Sequence, residues 1–242
     1  MDALRNENGE TLDEFLANYD VNVYPRPSVT ADVAVFTLVR RMTGLELAVL
    51  LVKRRNHPSI GKYALPGGFI NMDETLEQAA ARELMEETGL SGLTLRQFGA
   101  FGALERDPRT RVITVGHYAI APIDSLDFHA GDDAAEAGLF TVDIRREAAC
   151  ASAEQYRMIL LGERMLTARA LLRYDSMGAY TAAAAEPGDL ASDHGHVLFA
   201  ALYALYRQPV SRAARLLTLG MPELEDEARD TLIRAFDCLH EY

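Results

Sequence analysis

The alternation of apolar and polar residues predicts strands over most of the chain and helices mainly towards its end. Residues 29–39 and 45–53 are rich in β-branched and aliphatic side chains and are joined by Thr43 and Gly44, which predicts a β-hairpin. Further strand-like runs cover residues 63–65, 93–103, 112–121 and 139–142. Helical spacing of Leu12, Phe15 and Leu16 predicts one short amphipathic helix before the first strand.

The stretch 155–185 has two interpretations. Apolar residues alternate on both sides of Gly162, which favours a hairpin turning at Gly162 and Glu163, with a third strand near Tyr180. The alanine-rich composition keeps a helix as the alternative. Together these patterns predict a fold that contains both strands and helices.

Helical spacing returns from His194 onwards. It predicts helices over residues 194–207, 209–219 and 222–240, the last two beginning at a proline, which is favourable in the first helical position. The changes between strand-like and helical patterns along the chain predict a main domain over residues 1–150, with an N-terminal extension to about residue 28. A β-rich insertion over 151–190 and a C-terminal helical region over 191–242 follow.

The helix with the most informative chemistry lies between these strands. It is expected to begin near Asp73 or Thr75, where Thr75 and Gln78 have capping-box spacing, and to end at Gly89. Its apolar residues Leu76, Ala79 and Ala80 should face the core. Its glutamates Glu83, Glu86 and Glu87 lie three and four apart, so they project from nearly the same side one turn later.

Three carboxylates this close repel one another unless a cation neutralises them. Oxygen ligands suit Mg²⁺ or Mn²⁺, which usually keep some waters and bind substrate phosphates as well. Arg82 can hold a carboxylate through two hydrogen bonds, and Gly67 and Gly68 let the backbone come close enough for a carbonyl to join the metal. The alternative for any acidic pair is a solvated helix face, but the spacing of the surrounding residues argues against it.

Two other charged segments are candidates for the same chemistry. Lys53, Arg54 and Arg55 end a predicted strand just before the glycines, so they can bind diphosphate or simply form a solvated strand edge. The acidic loop 122–138 contains Asp132, Asp133 and Glu136. A carboxylate there, Glu136 above all, is a candidate to activate water or complete the metal coordination, although such loops often serve only solubility.

Composition narrows the class of protein. The chain has 242 residues, 49% of them hydrophobic, and a net charge of −12, which argues against general nucleic-acid binding. Only Cys150 and Cys238 are present, so no disulfide framework or CxxC metal site is expected. The polar, acidic N-terminus does not resemble a signal peptide, and no apolar run approaches membrane-spanning length. These features predict a soluble cytoplasmic protein that does not bind membranes.

The charged helix and its glycines together form the string G-x5-E-x7-R-E-U-x-E-E-x-G-U, in which U is aliphatic. It is filled by Gly68, Glu74, Arg82, Glu83, Leu84, Glu86, Glu87, Gly89 and Leu90. This string resembles the signature of the Nudix hydrolase family. Residues 24–142 are similar to the group that contains ADP-ribose pyrophosphatases and the Nudix-type regulators of NAD metabolism.

The resemblance implies an α/β fold, the Nudix α/β/α sandwich with a mixed sheet between helices, and a set of residue roles. Glu83, Glu86 and Glu87 would bind divalent metal with help from the Gly67 carbonyl, and Arg82 would orient a glutamate. The general base would be Glu83 or Glu136. Candidates for binding the diphosphate or the terminal ribose are Arg106 and Arg109, in addition to Lys53 and Arg55.

By the same resemblance, the expected reaction is hydrolysis of a nucleoside diphosphate joined to another moiety, foremost ADP-ribose to AMP and ribose 5-phosphate, by a homodimer. The alternative is a regulator that senses such a ligand and binds DNA through its C-terminal helices. Residues 191–242 argue against a complete basic winged helix, because they hold five arginines and no lysine against eight acidic residues. The predicted partner is therefore a small molecule and not nucleic acid.

Overall fold

The computed structural model describes residues 4–122, 124–130, 134–184, 188–219 and 221–239. Within them, ten strands form one mixed sheet. The strands are β1 Ser28–Arg41, β2 Gly44–Arg54, β3 Tyr63–Ala64, β4 Gly67–Phe69, β5 Arg96–Phe101, β6 Val112–Ile120, β7 Ala134–Cys150, β8 Ala153–Leu161, β9 Met165–Asp175 and β10 Gly178–Ala183. The helices are α1 Leu12–Asn18, α2 Leu76–Thr88, α3 His194–Tyr206, α4 Val210–Leu217 and α5 Glu225–Ala235, and short 3-10 turns cover Pro222–Leu224 and Asp237–Leu239.

The sheet lies between two helical layers, which confirms the predicted sandwich. Its main strand order is β10-β9-β8-β7-β2-β1-β6-β5, with β1 and β6 parallel and the other neighbours antiparallel. Alternate residues of β1 face opposite layers: Ala31 and Val33 belong to the core under α2, whereas Ala34 and Phe36 belong to the core under the C-terminal helices. Burial on both faces explains why β1 is almost continuously apolar.

The C-terminal helices supply the second layer of this sandwich. Leu198, Leu202 and Leu205 are at most 2% exposed and belong to the same core as strand residues of β1, β2, β8 and β9. On sequence grounds these three leucines are also a candidate contact surface between two copies of the chain. That interpretation is wrong, because the sheet of the same chain already covers them.

The two central strands separate at one end, and this fork creates room for a site. β1 pairs with β2 from Phe36 to Arg41, but its residues Thr30–Asp32 pair instead with β4. β2 meanwhile pairs with β3 at its far end. The chain from β3 to β4 therefore enters the gap between the strands and brings Gly67 and Gly68 directly beside β1.

Most predicted elements are present, and the differences have long-range causes. The hairpin β1–β2, the hairpin β8–β9 with a third strand β10, and the helix α2 are confirmed. β7 is much longer than the predicted 139–142, because β8 pairs with it as far as Cys150. The predicted helix 222–240 is divided into α5 and two 3-10 turns. Asp132 and Asp133 lie outside the described residues.

The division into three segments stays a prediction, although one sheet and one core run across both proposed boundaries. No helix in the described ranges is long and apolar enough to cross a membrane.

Candidate active site

The helix α2 carries the acidic residues and is fixed at both ends by its own sequence. Thr75 accepts a hydrogen bond from the Gln78 backbone, and the Gln78 side chain accepts one from the Thr75 backbone. Gly89 ends the helix in the left-handed conformation, with φ of 75°. These caps determine the rotation and length of the helix, and therefore where its glutamates lie.

Arg82 is the centre of an ionic network on this helix. Its guanidinium donates to both oxygens of Glu74, at 2.6 and 2.9 Å, and to the backbone oxygen of Phe69 at 3.0 Å. The same group donates to Glu83 at 2.7 Å and to Glu86 at 3.0 Å. One cation therefore joins two of the predicted metal-binding glutamates, together with Glu74 of the motif, to strand β4. That Arg82 orients a glutamate for catalysis stays a prediction.

Three carboxylates lie against the glycine pair. The Gly67 backbone N–H donates to Glu87 Oε2 at 3.0 Å. A Cβ added at Gly68 would lie 2.6 Å from both oxygens of the Glu83 carboxylate. A Cβ at Gly67 would lie 2.6 Å from Asp32 Oδ1 and collide with the backbone oxygen of Ala31. Only glycine permits this close approach of backbone and carboxylate at both positions.

The acidity of these groups follows from their surroundings. Burial raises the pKa of Glu87 to about 7, although the hydrogen bond from the Gly67 N–H works in the opposite direction. Burial also raises the pKa of Glu83, against the opposing effect of Arg82. The hydrogen bonds from Arg82 lower the pKa of Glu74 to about 2. The site thus contains two carboxylates that resist ionisation and one that is firmly ionised.

A cleft of about 410 Å³ is lined by Glu83 and Glu87, but not by Glu74, and also by several basic side chains. Its acidic lining residues include Asp32, Glu83 and Glu87, and its basic ones are Lys53, Arg54, Arg55, Arg82, Arg106 and Arg109. The structure thus brings both predicted glycines, two of the three helix glutamates and all four predicted substrate-binding residues to one cleft. Glu86 is not among the lining residues and reaches the cluster through Arg82.

Arg106 and Arg109, both predicted to bind substrate, differ in how accessible their side chains are. Arg106 has a side chain only 5% exposed, donates to Asp193 at 2.6 and 3.0 Å and to the Thr114 hydroxyl, and lies 3.7 Å from Asp32. Arg109 is 45% exposed, is held by Asp107 at 2.8 and 3.0 Å, and lies 5.1 Å above the Phe69 ring. Arg106 is thus committed to protein partners, while Arg109 stays accessible to a ligand.

Glu136 lies apart from the carboxylate cluster. It accepts hydrogen bonds from Lys53 at 2.8 Å and from the Tyr63 hydroxyl at 3.0 Å. These two bonds lower the pKa of Glu136. Together with Tyr63 it lines a neighbouring hollow, and it is not among the residues that line the cleft. Lys53 is the residue that connects the two spaces.

Three polar residues that line the cleft or bind a residue lining it are absent from the sequence-based prediction. Asp32 is 4% exposed, and its Oδ2 has no hydrogen-bond partner within the described part of the chain. Asp193 binds Arg106, and His194 accepts a hydrogen bond from the Leu65 backbone at 3.2 Å. Asp32 had one available signal, since it is the single acidic residue in a strand rich in β-branched and aliphatic residues. No signal in the sequence pointed to Asp193 or His194, because their partners are distant in sequence.

The donor set fits a hard divalent cation. Glu83, Glu86 and Glu87 offer only oxygen ligands, which suits Mg²⁺ or Mn²⁺. No three acidic, histidine or cysteine side chains of the described ranges already converge on one point. Arg82 binds Glu83 and Glu86, and the Gly67 N–H binds Glu87. A cation would compete with these bonds, and it would stabilise the ionised form of the buried Glu87.

The comparison with known families agrees with this geometry. The NUDIX domain model matches residues 30–159, which is more than half of the chain and includes α2 and the glycine pair.

The chain belongs to the Nudix family.

Two curated Nudix relatives have different functions. The chain is 38% identical over 108 residues to the ADPR responsive transcriptional repressor NtrR of Acinetobacter baylyi, covering 44% of this chain and 42% of that protein. It is 42% identical over 95 residues to the ADP-ribose pyrophosphatase of Methanocaldococcus jannaschii, covering 39% of this chain and 55% of that protein. The chain therefore spans about half the length of the curated relatives it matches.

A solved Nudix structure extends the likeness beyond the matched domain. The MutT/nudix family protein from Enterococcus faecalis aligns with 94% of this chain and 90% of its own, with a TM-score of 0.61 and 23% identity. This similarity concerns the fold alone. It covers the C-terminal helical layer as well as the Nudix sheet.

Proposed function

We propose that this Nudix protein is a metal-dependent pyrophosphatase that hydrolyses a nucleoside diphosphate linked to another moiety, with ADP-ribose as the foremost substrate. The observation that carries the proposal is that one cleft is lined both by the carboxylates of Glu83 and Glu87, beside Gly67 and Gly68, and by basic side chains that include Arg109. A cation at the carboxylates and a diphosphate that contacts both the cation and the basic side chains would neutralise each other's charge. The names of two relatives, an ADP-ribose pyrophosphatase and an ADPR-responsive repressor, support this ligand class.

Water would attack one phosphorus while the bond from that phosphorus to the bridging oxygen breaks, and the products would be AMP and ribose 5-phosphate. Glu83, Glu86 and Glu87 would hold Mg²⁺ or Mn²⁺, with the Gly67 carbonyl as a further ligand. The bound ion would lower the pKa of its water and neutralise phosphate charge. Arg82, which already binds Glu83 and Glu86, would keep these carboxylates oriented.

Glu83 is the stronger candidate for the general base, which takes the proton from water. It lines the cleft, lies against Gly68, and has a raised pKa, which brings it closer to neutral pH. Glu136 is the weaker candidate, because Lys53 and Tyr63 occupy both of its oxygens and lower its pKa. Lys53, Arg55 and Arg109 are proposed to bind the diphosphate, with Arg106 behind them.

One panel of compounds tests the proposal. Purified protein with Mg²⁺ is incubated with ADP-ribose, dinucleotides and nucleotide sugars, and the products are separated and quantified. We expect ADP-ribose to give AMP and ribose 5-phosphate, and chelator to abolish the reaction. If no compound in the panel is hydrolysed, the chain is not a pyrophosphatase of this class.

A second candidate function is a ligand-responsive DNA-binding regulator. Its support is the 38% identity to a transcriptional repressor, which is close to the 42% identity to the pyrophosphatase. The burial of Leu198 and Leu202 against the sheet and the net charge of −12 speak against DNA binding by the C-terminal helices. Sequence-specific retention of operator DNA, released by ADP-ribose, would favour this function over hydrolysis.

We also propose that the protein is a homodimer. The apolar residues of α1 support this, because Leu12, Phe15 and Leu16 are 68%, 41% and 58% exposed and pack against no core. Such a face is commonly covered by a partner. Light scattering at micromolar concentration should give twice the mass of the chain, and a monomer would refute the dimer.

A further inference from the structure

We propose that the segment from Leu190 to His194, which lies beyond the residues matched by the NUDIX domain model, is part of the active site, with Asp193 and His194 as positioning residues. Nothing in the family match assigns a role to this segment, since the match ends at residue 159. The inference rests on the proposed function for what the site does. Its geometry is independent of the reaction.

The first link runs from His194 to the glycine pair. His194 is 8% exposed, and its Nδ1 accepts the Leu65 backbone N–H at 3.2 Å. The next two residues are fixed as well, because the Pro66 carbonyl accepts from Val33 N–H at 2.8 Å and Gly67 N–H donates to Glu87 at 3.0 Å. His194 therefore completes a series of bonds that determines where the Gly67 backbone lies.

The second link runs from Asp193 to the loop before β6. Asp193 Oδ1 accepts two hydrogen bonds from Arg106, at 2.6 and 3.0 Å. Arg106 in turn donates to Thr114 and lies near Asp32, so its buried charge depends on this segment. The loop that carries Arg106 also carries Arg109, which stacks on Phe69 at the cleft.

The segment itself is attached to β3, so it can transmit these constraints. Ala191 N–H donates to the Tyr63 carbonyl at 2.7 Å, and Leu190 forms a parallel bridge with Tyr63. This hydrogen bond is made by backbone groups of buried residues, which makes it costly to lose. The two links consequently act on different groups of the site: His194 on the backbone that leads to Gly67, and Asp193 on Arg106 and the loop that also carries Arg109.

Two binding measurements on the full chain separate these roles. Mn²⁺ affinity is measured by calorimetry, and ADP-ribose affinity is measured in chelator, where hydrolysis does not interfere. His194→Leu removes the acceptor at similar volume and should weaken Mn²⁺ binding about tenfold, the effect of one unsatisfied buried N–H. His194→Asn keeps an acceptor near Nδ1 and should restore most of the affinity.

Asp193→Asn should show the opposite pattern, with ADP-ribose binding weakened about tenfold and Mn²⁺ binding little changed. Glu154→Gln is the matched control, because it removes a partly buried carboxylate that binds Arg146 and two tyrosines away from the cleft. It should alter neither affinity.

The proposal is overturned if the folded His194→Leu variant binds Mn²⁺ within twofold of the unmodified protein, or if Asp193→Asn leaves ADP-ribose binding unchanged. If His194→Leu does not fold, Asp193→Asn alone decides the outcome. Both readouts are equilibrium affinities. Absence of turnover would therefore refute the pyrophosphatase while leaving the positioning roles to be judged by binding.

Discussion

At the scale of single residues, the ionisation of Glu87 should have the largest effect on the stability of the metal-free protein. Its pKa in the folded chain is about 7 instead of 4.5, so between these values the folded state binds a proton more tightly than the unfolded chain does. The stabilisation is complete below pH 4.5 and is lost as the pH rises through about 7. The rise in the pKa of Glu87 on folding corresponds to about 3 kcal/mol of folding stability.

We therefore expect Glu87→Gln, which is neutral at every pH, to be more stable than the unmodified protein in chelator at pH 8, by up to about 3 kcal/mol. At pH 5 this advantage should be largely absent. Urea unfolding at both pH values measures it, with Glu77→Gln, an exposed glutamate of the same helix, as control. An equal difference at pH 5 and pH 8 would show that Glu87 is not the buried titrating group.

Residue identities were the part of the site that the sequence predicted best. The spacing of Glu83, Glu86, Glu87 and Arg82 on one helix is local, and local geometry can be read from a pattern. The pairing of Arg106 with Asp193 joins positions 87 residues apart. No local pattern contains such a contact. The sequence therefore makes Arg106 a candidate for binding phosphate, whereas in the structure its hydrogen bonds go to protein groups.

At the scale of elements, the close approach of β4 to α2 depends on Gly68. A Cβ there would lie 2.6 Å from the carboxylate carbon and both oxygens of Glu83, so strand and helix would have to separate. We expect Gly68→Ala to reduce turnover at least 100-fold, because a displacement of this size at a reacting group is commonly that costly. Folding should survive, since the displaced side chain is at the cleft.

Gly138→Ala is the matched control for this substitution. Its Cβ would lie 3.6 Å from the Phe140 ring, which is an ordinary contact. Steady-state kinetics of both variants with Mg²⁺ and ADP-ribose give the comparison. Equal activity of Gly68→Ala and Gly138→Ala would mean that the Glu83 carboxylate does not need its present position.

The helices and strands could be predicted wherever the sequence signals that specify them are local. Thr75, Gln78 and Gly89 specify the limits of α2 by capping, and the structure has these limits. The length of β7 is different, because its charged residues 145–147 interrupt the apolar alternation and belong to a strand only through pairing with β8. Whether such residues form a strand depends on a partner strand that follows later in the chain.

At the scale of the whole molecule, the sheet and the C-terminal helices should unfold together. Leu202 is fully buried in α3 within a core that includes residues of β1 and β2. We expect Leu202→Ala to destabilise the protein by about 2–5 kcal/mol, in one cooperative transition. Leu219, which is 65% exposed, provides the control: Leu219→Ala should change stability by less than about 0.5 kcal/mol.

Urea unfolding followed by circular dichroism measures both leucine variants. Two separate transitions, of which only one responds to Leu202→Ala, would show that the helices form an independent domain. That result would also revive the interpretation of the C-terminal region as a separate DNA-binding module.

The central claim is that the carboxylates of α2 hold the ion with which this Nudix protein cleaves a diphosphate. The most direct test measures AMP and ribose 5-phosphate formed from ADP-ribose with Mg²⁺, by the unmodified protein and by Glu87→Gln side by side. We predict equal amounts of both products from the former and a decrease of at least 100-fold in the latter, since the ion loses a charged ligand. No product from the unmodified protein, or near-normal product from Glu87→Gln, would contradict the claim.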